Sequence, residues 1–230
     1  MGRFVQLPII SGGSNIKNGG NDNHTLLMLH GEDFTDSSSN NRSIVNVGNV
    51  MIDDGKFDRG FYFTREKRLI TNMATDDAMQ LNNKDFTIDF WCYIRDNTST
   101  NCIITYTGQT YTPLGLSLET INGLRLSVGN IQNTGYEIDI PTKVQPIYHK
   151  WYHYAIVRKG TRLMLFMNGI LIAEANINNY SIVNASSLII AHYAQAGGPT
   201  YGINGSIDEL RISDVARWDK DFYPSIEPYK

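Results

Sequence analysis

The sequence predicts an all-β protein, an antiparallel β-sandwich behind a short N-terminal arm. Its 230 residues include 26 Ile, 13 Tyr and 9 Phe but only 10 Ala, a usage that favours strands over helices. The 22 Asn and 20 Gly supply turns. About a dozen short apolar or alternating runs recur between these turns, and no stretch holds a helical period.

Residues 1–24 read as an arm or linker, with the apolar run FVQLPII followed by the Gly-, Asn- and Ser-rich SGGSNIKNGGNDNH. The folded body, residues 25–230, opens with LLMLHGEDFTDSSSNN, and SIVNVGNV follows from residue 43. The stretch TNMATDDAMQLNN, 71–83, has room for one short turn. DFTIDFWCYI, 85–94, alternates cleanly, with Phe86, Ile88, Phe90 and Cys92 inward and Thr87, Asp89, Trp91 and Tyr93 outward. NCIITYT, LGLSLE, GLRLSVG and YEIDI add four strands. WYHYAIVRKGTRLMLFMNGILIAEA, 151–175, predicts three more, joined by a turn at Lys159-Gly160 and by the type I′ dipeptide Asn168-Gly169. SLIIAHY and GSIDELRISDVARW close the set. In the last run strict alternation puts Asp208 on the face of Leu210 and Ile212, and gives Glu209 and Arg211 an ordinary polar face. A carboxylate on the core side must be paired, hydrogen-bonded or metal-bound.

The net charge is −3 and the basic residues are scattered, so the footprint of a nucleic-acid-binding protein is missing. No apolar run approaches the roughly 20 residues that span a bilayer, and the opening residues are too short an apolar stretch for a signal peptide. Cys92 and Cys102 are expected as buried thiols, with a disulfide between them left open. His149 and His153 read as polar residues of a sheet rather than ligands.

Five pieces in order, LLMLHGEDFTDSS, DFTIDFWCYI, WYHYAIVRKGTRLMLFMNGILIAE, SLIIAHY and INGSIDELRISDVARW, resemble the laminin-G-like, concanavalin A-like lectin/glucanase jelly roll over residues 26 to 224. The resemblance implies two curved antiparallel sheets and a carbohydrate- or protein-binding module, of a type found in secreted bacterial proteins and in bacteriophage structural proteins. A module of this kind without a secretion signal fits a virion surface component, such as a head decoration, fibre or tail part, assembled in the host cytoplasm and binding a glycan or a neighbouring virion protein. The arm would dock on a partner, and a homo-oligomer is compatible with such a particle. Alternatives are a secreted-type bacterial carbohydrate-binding module, a structural particle subunit without a ligand, and a glycan-cleaving enzyme.

The last alternative rests on YEIDIPTK, which places Glu137 and Asp139 like the nucleophile and its partner in the glucanase pattern Glu-x-Asp-x-x-Glu. Retaining hydrolysis needs a second carboxyl as acid/base, and Pro141 and Thr142 stand there instead. A solvated acidic strand face accounts for the motif, and no catalytic residue is expected. Neither a Gly-x-Ser-x-Gly elbow nor a His-Glu-x-x-His pair occurs.

For a glycan, exposed aromatic faces beside amides are the useful chemistry. Two loops have that mixture, YTGQTYTP with Tyr106, Gln109 and Tyr111, and HYAQAGGPTYGIN with His192, Tyr193, Gln195 and Tyr201. Trp91, on the outer face of its strand, is a further candidate. These tyrosines equally suit a role of covering sheet edges. The resemblance also implies a structural calcium held by Asp208 and by Asp36 of the GEDFTDSSSNN loop, tying the first strand to the last. The metal-free alternative has Asp208 capping backbone N–H groups or pairing with Arg42.

Overall fold

A computed structural model describes residues 20–96, 101–108, 112–129, 136–178, 180–193 and 201–230. Among them it shows no helix and these strands: β1 (Thr25–Leu29), β2 (Val45–Val47), β3 (Met51–Asp54), β4 (Arg59–Phe63), β5 (Arg68–Asn72), β6 (Phe86–Ile94), β7 (Asn101–Thr107), β8 (Leu114–Glu119), β9 (Gly123–Gly129), β10 (Tyr136–Pro141), β11 (Trp151–Lys159), β12 (Arg162–Met167), β13 (Ile170–Asn176), β14 (Ser187–Ile190) and β15 (Gly205–Ser213). They form two antiparallel sheets. One runs β13-β12-β11-β6-β15-β4-β3, with β1 also paired to β15, and the other runs β10-β9-β8-β7-β14-β5-β2. Between them lies one apolar core that includes Phe61, Phe63, Phe90, Leu116, Leu126 and Leu188.

The alternation in β6 holds, since Phe86, Ile88, Phe90 and Cys92 all join the core. The Asn168-Gly169 turn also forms, with φ of 50° and 76°, as type I′ requires. The turn before it sits one residue later than expected. Lys159 pairs with Arg162, so Gly160 and Thr161 make the corner, and only Gly160 takes positive φ there.

β15 corrects the strict alternation. Asp208 lies opposite Trp91 and Arg211 opposite Asp89, so three steps on β15 face two on β6, and the register shifts between them. A β-bulge absorbs the extra residue, and Glu209 adopts φ 51°. Ile207, Leu210 and Ile212 can then all face the core, while Asp208 shares the outer face with Trp91 and Arg211. Nor is that outer face ordinary and polar. Glu209 and Arg211 are both buried.

What buries them is the C-terminal segment, residues 214–230, which crosses the outer face of this sheet as a strap. Trp218 stacks on Phe222 at 3.8 Å, and both pack on Ala155, Val157, Met164 and Phe166. Beneath the strap Arg211 donates twice to Asp89 at 3.1 Å. The Tyr229 hydroxyl donates to the same carboxylate at 2.6 Å, and the Arg211 guanidinium lies 3.9 Å from the Tyr229 ring. Burial pushes the Asp89 carboxyl up, but Arg211 and His153 together hold it well below the usual carboxylate range. An ion pair closed in this way costs several kcal/mol if one partner is removed, so strap and sheet depend on each other.

Residues 1–19 of the expected arm lie outside the described residues. Residues 20–24 are part of the body. Arg217 donates to both oxygens of Asp22 at 2.8 and 3.0 Å, and the Asn21 N–H donates to the Lys230 carbonyl at 2.6 Å. Their composition reads as linker, but the buried Arg217 needs the Asp22 carboxylate.

Candidate functional site

The outer face of the second sheet carries an open cleft of about 330 Å³. Its floor follows from register. Thr105 of β7 pairs with Gly115 of β8, and Gly115 with Ser127 of β9. One step along, Cys102 pairs with Ser117 and Ser117 with Arg125. In β8 and β9 the residues between these, Leu114, Leu116, Leu118, Leu126 and Val128, fill the core. Alternation therefore turns the small polar residues outward, and Gly115 leaves the floor flat.

The cleft has one wall of loop. The Cys102 N–H donates to the Tyr201 carbonyl at 2.8 Å, and the Thr105 hydroxyl donates to the His192 carbonyl at 3.1 Å. These bonds fix both ends of the 192–201 segment and set Tyr193 and Tyr201 side by side, ring centroids 6.4 Å apart. Both rings line the cleft. Two of the expected residues are thus brought together. Gln109, Tyr111 and Gln195 lie outside the described residues. Tyr106 is a correction: it is not a loop residue but part of β7, buried in the core. A register shift between Cys102 and Ile104 sets its inward direction.

Among the described residues, the one cation lining the cleft is held by two carboxylates. Arg125 donates to Asp139 at 2.6 and 2.9 Å and to Glu119 at 2.7 Å. The hydrogen bond to Asp139 is the largest influence on Arg125 and, with Glu119, holds its guanidinium firmly protonated. The Ser117 and Ser127 hydroxyls, by contrast, make no hydrogen bond among the described residues, and the Thr112 hydroxyl is buried without a partner. Cys102 is no nucleophile, because burial and Glu119 push its thiol up to about 12. It forms no disulfide, and neither does the buried Cys92. Glu137 and Asp139 share the exposed face of β10, and Asp139 is spent on Arg125.

Trp91 lies elsewhere. Its outer face is not open sheet: the strap and Lys56 cover most of it, and the Lys56 ammonium sits 4.5 Å over its ring. What remains is a second cleft, about 430 Å³, between Trp91, Trp151, Lys56 and strap residues Tyr223 to Ile226.

The two carboxylates expected at calcium are held by different donors. Asp36 accepts from the N–H groups of Met28, Ser38 and Arg42 and from the Ser38 hydroxyl, at 2.8 to 3.0 Å. Four donors around a carboxylate do the work of a cation. Asp208 Oδ2 accepts from the N–H groups of Lys56 and Phe57 at 2.7 and 3.0 Å, while its Oδ1 is buried without a partner. Arg42 pairs with Asp76 at 2.6 Å. Among the described residues no three His, Cys, Asp or Glu side chains gather as a metal site, so Oδ1 of Asp208 is the one carboxylate oxygen of the expected pair left for an ion. Burial pushes Asp208 up to about 7, against the pull of its N–H donors.

A family model described as the concanavalin A-like lectin/glucanases superfamily matches residues 71–221. A comparison with curated protein sequences finds no match. Among solved structures, the binding domain of Paraclostridial Mosquitocidal Protein 1 superposes with a TM-score of 0.69 at 20% identity, over 88% of this chain and 50% of that one. The binding domain of botulinum neurotoxin DC, solved with rat synaptotagmin II, gives 0.68 at 19% identity over 85% and 49%. Domain 4 of AbnA, an extracellular arabinanase of Geobacillus stearothermophilus solved with arabinotriose, gives 0.65 at 18% identity over 84% and 93%. This chain therefore spans about half of each toxin binding domain and nearly all of the arabinanase domain, and these likenesses speak for the fold.

Proposed function

The chain belongs to the concanavalin A-like lectin/glucanases superfamily, and from that premise we propose that it is a non-catalytic binding module whose β7–β9 cleft takes a neutral glycan. The observation that carries this reading is the pairing of unengaged hydroxyls, on Ser117 and Ser127, with the rings of Tyr193 and Tyr201. Aromatic faces cover the apolar side of a sugar and the hydroxyls meet its polar rim. A neutral ligand is favoured over an acidic one because Arg125, the cation in the described lining, is already held by two carboxylates. The same ion pairs argue against hydrolysis. A glycosidase acid must aim a proton at the leaving oxygen, and Glu119 and Asp139 aim their oxygens at Arg125.

The finer setting, a virion surface component binding a glycan or a neighbouring particle protein, is part of the proposal. It is supported by placement: Asn21 is bonded to Lys230 on the strap side, so the cleft faces away from the side where these two segments come together. Detection of the chain in purified particles tests it, and its absence from them would remove that setting.

The glycan reading is tested on an array of neutral and acidic oligosaccharides, followed by titration of the best ligand. Tyr201→Ala and Tyr193→Ala should each weaken binding by roughly 1–3 kcal/mol, as loss of a contact hot spot does. Gly115→Leu should abolish it by filling the floor. A Cβ there meets only ordinary contacts, 3.4 Å to Thr112 and 3.5 Å to Ser127, so the fold should survive. Unchanged affinity in all three variants moves the site off this cleft.

A further inference from the structure

We propose that the strap-side cleft is the seat of an apolar segment of this same chain, residues 4–10, FVQLPII, docked intramolecularly. Several observations meet here. The cleft is lined by Trp91, Trp151, Tyr223, Pro224 and Ile226. At its rim Ile226 is 90% exposed and Tyr223 49% exposed, a grouping of large apolar side chains that marks a contact surface. Three of its polar groups are already engaged within the protein, and the Trp91 indole N–H is buried without a partner. The Asn168 amide oxygen accepts from the His153 N–H at 2.9 Å, the Ser225 hydroxyl donates to the Glu227 carbonyl at 2.6 Å, and Lys56 lies over Trp91. A polyol would find few partners there, in contrast to the cleft on the opposite sheet. An apolar segment would find rings and aliphatic carbon.

The occupant is chosen by chemistry and reach. Five of the seven residues in FVQLPII are Phe, Val, Leu or Ile. Pro8 lacks an N–H, which a side-chain cleft does not require. Residues 11–19 separate this segment from Gly20, and nine residues reach about 30 Å when extended. The distance to be bridged is shorter. Asn21 is bonded to Lys230 at 2.6 Å, and Lys230 is four residues from Ile226, at most about 14 Å along the chain. Tethering at that range favours docking on the chain itself over docking on another molecule. The docked segment would add a second layer to the strap, over the buried Asp89–Arg211 pair, and is a different fate from docking on a partner.

The test uses the full chain with the photoreactive analogue benzoylphenylalanine in place of Phe4. On irradiation, crosslinks within one chain should map to Trp91, Trp151 or residues 223–226. Ile226→Asp, at a position exposed enough to leave folding untouched, should reduce their yield at least fivefold, while Gly115→Leu should leave it unchanged. Crosslinks mapping elsewhere, covalent dimers alone, or no crosslink would overturn the proposal. Because Gly115→Leu reports on the other face, failure here leaves the glycan reading standing, and the converse holds.

Discussion

Asp208→Asn should make the protein more stable at pH 8 and leave it nearly unchanged at pH 4.5. Asp208 sits where β1 ends and β4 begins along β15, packed among Gly31, Gly55 and Gly60. Its folded-state value is raised by burial from 3.8 to about 7, and in the unfolded chain it is ordinary, about 3.9. Between those values the folded protein holds a proton that the unfolded chain has released. The protonated acid's contribution is therefore fully present below about pH 4, declines as pH rises, and is gone above about pH 7. At 1.36 kcal/mol per unit, a rise from 3.8 to about 7 sets a ceiling of ~4 kcal/mol. Asparagine keeps an oxygen for the Lys56 and Phe57 N–H groups and places an NH₂ where the unpartnered Oδ1 lies, much as the protonated acid places an O–H.

Melts in EDTA should therefore nearly coincide at pH 4.5, within ~1 kcal/mol. At pH 8 the variant should lead by about 2–4 kcal/mol, which for a chain of this size is about 5–15 °C. An offset between the two proteins that stays the same at both pH values would refute the reasoning. Repeating the pH 8 melts in millimolar calcium separates the metal question. An ion on Oδ1 must raise the wild-type midpoint as calcium rises above its dissociation constant, and the Asn variant must lose most of that rise. Equal wild-type midpoints in calcium and EDTA, with stripping checked by metal analysis, would leave Asp208 as a hydrogen-bonding acid only.

Two further outcomes follow from the strap and from the acidic strand. Trp218→Ala removes a ring stacked on Phe222 and packed on β11 and β12, and should cost about 3–5 kcal/mol in urea unfolding; a loss under 1 kcal/mol would mean the strap is not part of the cooperative fold. No reducing sugar should be released from a broad polysaccharide panel, since Glu137 has no acid partner beyond Asp139; release that Glu137→Gln abolishes would restore the enzymatic alternative.

In a regular strand such as β6 the sequence showed where the core-facing side lies but not what covers the other side. DFTIDFWCYI read correctly inward because Phe86, Ile88, Phe90 and Cys92 repeat at period two. Its outward members Thr87, Asp89 and Trp91 are as buried as the core, since the strap buries a second face with Trp218, Phe222 and Tyr229, which follow no period. The bulge did leave a trace: Ile207, Leu210 and Ile212 are spaced three and then two, which no uniform strand can place on one side. Reading that break would have paired Arg211 with Asp89 rather than with solvent.

The candidate site divides the same way. Tyr193 and Tyr201 stood out as aromatic loop residues because loops announce themselves by composition. Ser117 and Ser127 did not, since a serine alternating with leucine in LGLSLE or GLRLSVG is what any half-exposed strand shows. They become a floor only when Thr105, Gly115 and Ser127 fall in one row across three strands, and that row is a property of register, set by a shift at Cys102–Ile104 that NCIITYT does not display. A cleft laid across strands therefore puts its specificity in residues chosen for being small, and small polar residues are the least informative letters in a strand. For this chain the gap left by Gly115 is as much a part of the binding surface as the rings beside it, which is why filling that gap is a sharper test of the site than removing either tyrosine.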